Sequence, residues 1–551
     1  MTVTSAADDR GAPSTAGQAV SSAASRRTAV YLMVAALASL IPILSVRFPP
    51  MTDYANHYVR MWLLAGGIER PHMAQFYEID WNVAWTNIAI DLVAAGLGKI
   101  VSMDVIGPLV LGLAALLPAV GVALLNRRLF GGFHWWQLLC FILAWNAVFL
   151  FGFISFLISL GLALIFAYVD QGLKGRGWAV TFASRAVSAA LLLVAHPFGL
   201  LFYTALLAAL EFGPSLAPFR TARALLGVAG RVVVAIAPVF VPLAIFLLFG
   251  PSLPGQKDVS LFDSMYWVDA WSLRRALLLL TYFTTYDLRV DFLYLLLMFV
   301  VVRETIRRDL IRVHWGLVLA AIATAIVAVF VPTLVFDTGA IDRRLPCMAV
   351  LAAVAGLRPD VRGRLQSLML PAILLVVLSR IAFVEYVWLQ RAADVRSVEA
   401  ALQQVPPGSA VLPLLHEIHG DNINQAPIGR MVAGVVPSFW HYPAIVSLER
   451  DAFMPYLFTA PGKQPLRVRA PWNEIAVPEA IPFPVHLLNV PENRLDPYMS
   501  DWKNRFDYAL VMNADMESPL RLMPRMDNLH LIADEGFARL YRIDHPQAPK
   551  P

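Results

Sequence analysis

Apolar runs long enough to cross roughly 30 Å of hydrocarbon recur between Thr28 and Trp388. Lipid offers no water to the backbone, so each run must close its own hydrogen bonds as a helix. The charge supply agrees. Only 15% of residues are charged against 58% hydrophobic, too few to cover a soluble domain. The pattern predicts about eleven spans, near 28–46, 104–125, 135–150, 153–170, 178–195, 197–212, 229–249, 288–302, 315–335, 345–357 and 367–388.

Basic residues set the orientation. Arg26-Arg27, Arg127-Arg128, Lys174–Arg176, Arg220–Arg231, Arg303–Arg312 and Arg358–Arg364 fall in short connections, and such loops stay on the cytoplasmic side. The net charge of +5 is spent there and is no signal for nucleic acid. Residues 1–27, rich in Ser, Ala and Thr, read as a disordered cytoplasmic tail. No small-residue cleavage site follows the first run, which reads as a retained span. The first outer loop is then 47–103. Parity holds if Trp85–Ile100, which carries Asn87, Asp91 and Lys99, lies in the interface instead of crossing. Cys140 and Cys347 sit inside apolar runs, so neither a disulfide framework nor a metal site is indicated.

Composition changes near residue 391. The remainder is proline-rich and ordinarily charged, with strand-like Ala410–Leu414 and Tyr508–Met512 and a hairpin pair around Asp534-Glu535-Gly536. The fold class expected is an α-helical polytopic membrane protein, residues 28–390, with a C-terminal extramembrane α/β domain, 391–551, on the outer (periplasmic) side.

Chemistry gathers first after Pro49-Pro50, which end the first span. A short helix from near Asp53 would place Asp53, His57 and Arg60 on one face, flanked by Asn56. A carboxylate beside imidazole and guanidinium groups can be a general base or hold a metal. It can equally be a helix cap, with Arg60 snorkelling to headgroups. His196 lies at a later outer turn. Tyr286, Asp287, Arg289 and Asp291 crowd the start of a span, where interface anchoring is the alternative. Asp342-Arg343-Arg344 lie on an outer loop between the ninth and tenth spans, against the positive-inside bias. Arginine grips phosphate bidentately and keeps its charge; the alternative is an Asp342–Arg343 ion pair. His416-Glu417-Ile418-His419 has H-x-x-H spacing, unlike the helical H-E-x-x-H of zinc proteases.

An aspartate early in the first outer loop, interfacial helices, many spans and a terminal external domain together resemble the GT-C superfamily of membrane glycosyltransferases. The closing stretch Glu535–Ile543 is similar to the ending of such domains. The resemblance implies a polyprenyl-phosphate-linked sugar as donor, a lipid or cell-envelope glycan as acceptor, and a bacterial inner-membrane location. It also implies that Asp53 aids acceptor activation or metal binding. Thr52-Asp53-Tyr54 lacks the second carboxylate many members carry, so a divalent metal is not favoured and an unassisted base is. Alternatives are a transporter or flippase of a lipid-linked amphiphile, and a non-catalytic assembly subunit.

Overall fold

The computed structural model describes residues 15–251, 260, 262–269, 272, 274–308, 310–335, 338–359, 361, 364–477, 481–491, 495 and 497–545, with side chains left aside at 15–24 and 364–367. It is a largely helical polytopic membrane protein with a C-terminal α/β domain. Among the described residues six helices are long and apolar enough to cross a membrane: Ser25–Ser45, Met103–Phe130, Ile154–Leu173, Trp178–Ala195, Ala222–Phe249 and Leu368–Leu402. Three shorter apolar helical runs, Trp135–Leu150, Pro197–Phe212 and Trp315–Phe330, stand beside them. Leu288–Arg307 and Ile341–Ala355 are also helical. The expected spans thus fall largely on helix, though not on eleven long ones.

Two differences, and one agreement, have physical causes. The first helix begins at Thr15, inside the stretch expected to be irregular; its Ala and Ser residues continue the helix upstream. The run expected to span at 135–150 is broken. Buried Asn146 accepts from Phe149 N–H (3.1 Å) and donates to Leu143 O (2.7 Å), ending one short helix and capping the next. Within Trp85–Ile100 the helix covers only Ala89–Leu97. Nine residues rise roughly 14 Å, about half the hydrocarbon thickness, so this helix does not cross.

The terminal domain is built on a five-stranded sheet in the order Phe483–Pro484, Val411–Leu415, Tyr508–Met512, Ala538–Ile543, Leu529–Asp534. The first three are mutually parallel, and the last two form an antiparallel hairpin. Val411–Leu415 is buried throughout, the continuous apolar run of a strand covered on both faces. The 39-residue helix Arg364–Leu402 links the two parts. Its roughly 58 Å length exceeds any bilayer, and Val395, Val398, Ala401 and Leu402 are buried at its far end. Ser397 Oγ donates there to Glu535 O in the closing hairpin.

Candidate active site

The Pro49-Pro50 corner is held from the far side of the fold. Tyr286 Oη donates to Pro50 O (2.8 Å) and accepts from Trp388 Nε1 (2.8 Å). Next, Thr52 N–H donates to Leu150 O (3.0 Å) and Asp53 N–H to Phe151 O (3.2 Å). The turn supplying those carbonyls needs Gly152, whose φ is +92°. A Cβ there would stand 2.7 Å from Asp53 Cβ, so the glycine lets the two segments touch. Asp53 then begins the helix Tyr54–Leu64 without using its side chain as the cap. The carboxylate is turned instead toward a cavity.

That cavity, about 730 Å³, is lined by Asp53, His57, His196, Arg343, Arg344 and His441, by Lys463 and Gln464, and by apolar walls that include Phe151, Phe153, Leu243, Phe246 and Leu247. Asp53 and Arg343 come from membrane-module segments, His441 and Lys463 from the terminal domain. Asp53 Oδ1 lies 3.5 Å from His441 Nε2. Phe458 packs against both histidines, with ring centroids 5.0 Å from His57 and 4.9 Å from His441.

Burial pushes His441 down to about 3. His57 is held well below the usual histidine range by burial, then by Arg60 and by His441. Both rings are therefore neutral in the fold and ordinary, near 6.5, when unfolded. Unfolding takes up protons between these values. Stability is thus fullest above about pH 6.5 and falls as pH drops below it, by at most roughly 1.4 kcal/mol per pH unit for each ring. Thermal unfolding in detergent at about pH 7.5 and 5.5 should show this loss, and His441→Phe should shrink it.

The arginines are not on a loop. Ile341–Ala355 is a helix starting after Ala340, and consecutive helical residues point about 100° apart. Arg343 lies over the Phe151 ring at 5.3 Å. Arg344 lies over Phe153 at 4.3 Å, with its Nη1 2.8 Å from His196 Nε2. The other nitrogen of His196, Nδ1, meets Phe198 N–H at 3.1 Å, capping Pro197–Phe212. Each ring nitrogen thus faces a donor, while a neutral imidazole offers one acceptor. An anion accepting from this group would relieve the mismatch.

The remaining expected residues are not at the cavity. Asn56 is fully buried beneath it, against the terminal domain. Arg60 pairs bidentately with Asp91 (2.8 and 3.2 Å), both buried, and does not snorkel. Asp287 caps the helix Leu288–Arg307, accepting from Arg289 N–H at 2.8 Å. Arg289 is exposed. Asp291 is clamped by Arg380 and by Thr285, whose N–H donates at 2.6 Å. Asp342 does not pair with Arg343; it lies 3.5 Å from Arg275 and accepts from Thr333 Oγ1 at 2.6 Å. Glu417 is bracketed by His419 (3.2 Å), His486 (3.4 Å) and Arg521 (3.1 Å).

Among the described residues Asp53 is the only carboxylate lining the cavity, and no three His, Cys, Asp or Glu side chains converge as metal ligands. His441 and Lys463 were not foreseen. Both lie more than 380 residues beyond Asp53, and His441 sits in the aromatic run Phe439–Tyr442, which reads as core.

No protein-family model and no curated protein matches the chain. Among solved structures it is similar to ArnT from Cupriavidus metallidurans bound to undecaprenyl phosphate, with 13% identity, 94% of this chain and 98% of that one covered, and a TM-score of 0.45. The same protein in the apo state gives 0.43 at the same identity and coverage. An Archaeoglobus fulgidus oligosaccharyltransferase in the apo form is similar at 13% identity over 88% of this chain and 69% of that one, with a TM-score of 0.35. Likenesses at these scores assign neither a reaction nor a substrate to the chain.

Proposed function

We infer that the chain is a membrane glycosyltransferase of the GT-C kind. It moves a sugar from a polyprenyl-phosphate donor to a lipid or cell-envelope glycan acceptor at the outer face of a bacterial inner membrane. The observation that carries this reading is a single carboxylate, Asp53, sharing one amphipathic cavity with Arg343 and Arg344. Asp53 takes the proton of an acceptor hydroxyl as that oxygen attacks the anomeric carbon. The bond to the phosphate oxygen breaks, the polyprenyl phosphate leaves, and the configuration inverts. Arg343 and Arg344 offset the charge that develops on the leaving phosphate, and the donor-rich contact between Arg344 and His196 suits the same anion. Leu243, Phe246, Leu247 and the phenylalanines give a lipid tail an apolar wall. In this reading the chain crosses the membrane eleven times, the N-terminus is cytoplasmic, and the terminal domain covers the site from outside.

The test is profiling of lipid-linked sugars after deletion of the gene. Accumulation of one polyprenyl-phosphate sugar, reversed by the wild-type gene, is the expected result. An unchanged profile of every lipid-linked sugar would overturn the reading.

A further inference from the structure

We propose that His441, brought by the terminal domain, is the positioning residue of Asp53. Asn56 sets its ring as the Nε2–H tautomer and so aims that proton at the carboxylate. The argument begins with an amide whose direction is forced. Phe458 N–H donates to Asn56 Oδ1 at 2.9 Å, and Asn56 Nδ2 donates to Tyr456 O at 2.7 Å. Reversing the amide would set oxygen against a carbonyl and NH2 against an N–H. Nδ2 therefore also faces His441 Nδ1, at 3.0 Å. A donor there makes Nδ1 the acceptor, and the proton of the neutral ring must sit on Nε2.

Nε2 stands 3.5 Å from Asp53 Oδ1. That is long for a hydrogen bond, and such contacts tighten when substrate closes the site. The order of burial fits a relay that opens only at one end: Asn56 is 0%, His441 4% and the Asp53 side chain 20% exposed. The groups around the ring are Asn56, Asp53, the Phe458 face and His57. Held this way, one carboxylate oxygen accepts a hydrogen bond from the imidazole N–H, and the carboxylate is kept turned to the cavity. No proton is transferred to or from His441. A neutral donor orients the carboxylate while drawing less on its basicity than an imidazolium would.

This inference rests on the reading of Asp53 as the base, so its test has one arm independent of activity. Protein carrying 15N-labelled histidine, in detergent, should show one ring with bare Nδ1 and protonated Nε2, assigned by its loss in His441→Leu. Asn56→Leu should release that ring to a mixture of tautomers. A second arm uses the polyprenyl-phosphate sugar that accumulates on gene deletion. Loss of positioning in His441→Leu should lower kcat by roughly tenfold to a hundredfold with KM little changed, and His441→Gln, whose amide can donate, should recover part of it.

A protonated Nδ1 or a charged ring at His441 in the wild type would overturn the proposal, with His441→Gln making the assignment should His441→Leu fail to fold. So would unchanged kcat in a folded His441→Leu while Asp53→Asn is inactive, a result that leaves the base reading standing. Full transfer by Asp53→Asn would instead remove the base reading itself.

Discussion

Replacing Asp53 by Asn is expected to slow sugar transfer by about 10²–10⁴-fold, the usual span for losing a general base. Asn keeps the size of the side chain, and its oxygen still accepts from His441, so the cavity is preserved. It cannot take a proton from an attacking hydroxyl. Neither residue on the other side can substitute: His57 is held neutral and hard to protonate by burial and by Arg60, and His441 already presents a proton to the site. The rate of sugar release from a polyprenyl-phosphate donor in proteoliposomes measures the effect, with the thermal midpoint as a folding control. Transfer within a few-fold of wild type would show that Asp53 only shapes the cavity.

Asp91→Ala should cost roughly 3–5 kcal/mol of stability, the loss seen when one partner of a buried ion pair is removed. Arg60 is 1% and Asp91 0% exposed, so without the carboxylate a guanidinium is left buried among Phe458 and its neighbours. The double change Arg60→Met with Asp91→Leu should recover most of the loss, because apolar pairs often replace buried ion pairs without penalty. Unfolding in detergent, followed for both variants, checks the sign and the recovery. An Asp91→Ala protein as stable as wild type would mean that water reaches Arg60.

The membrane class was legible because hydropathy is a property of long windows, and errors at single residues average out. The closing hairpin was legible for a local reason: Gly536 takes the left-handed turn conformation, φ +73°, between two alternating runs. The break at Asn146 was hidden, because one polar residue in an apolar run looks like noise until its side chain is seen capping a helix. At the site, a charge near the membrane boundary must either face a cavity or find a partner. Asp53, His57, His196, Arg343 and Arg344 line the cavity, with Asp53 and Arg344 meeting histidines there as well. Arg60, Asp291 and Asp342 do the second, with Asp91, Arg380 and Arg275. Two of those three partners lie more than 60 residues away, beyond any spacing rule. His441 is separated from Asn56 by 385 residues, and nothing local marks it.

The hydrogen bond from Phe458 N–H to Asn56 joins residues 402 positions apart. At ribosomal speeds of about 5–20 residues per second, the second partner emerges roughly 20–80 s after the first. During that interval the first outer loop is already in place while the segment that aligns its carboxylate has not been made. The cavity around Asp53 is therefore completed only when the last domain folds down onto the first loop, so that on the proposed reading full activity waits for the end of synthesis.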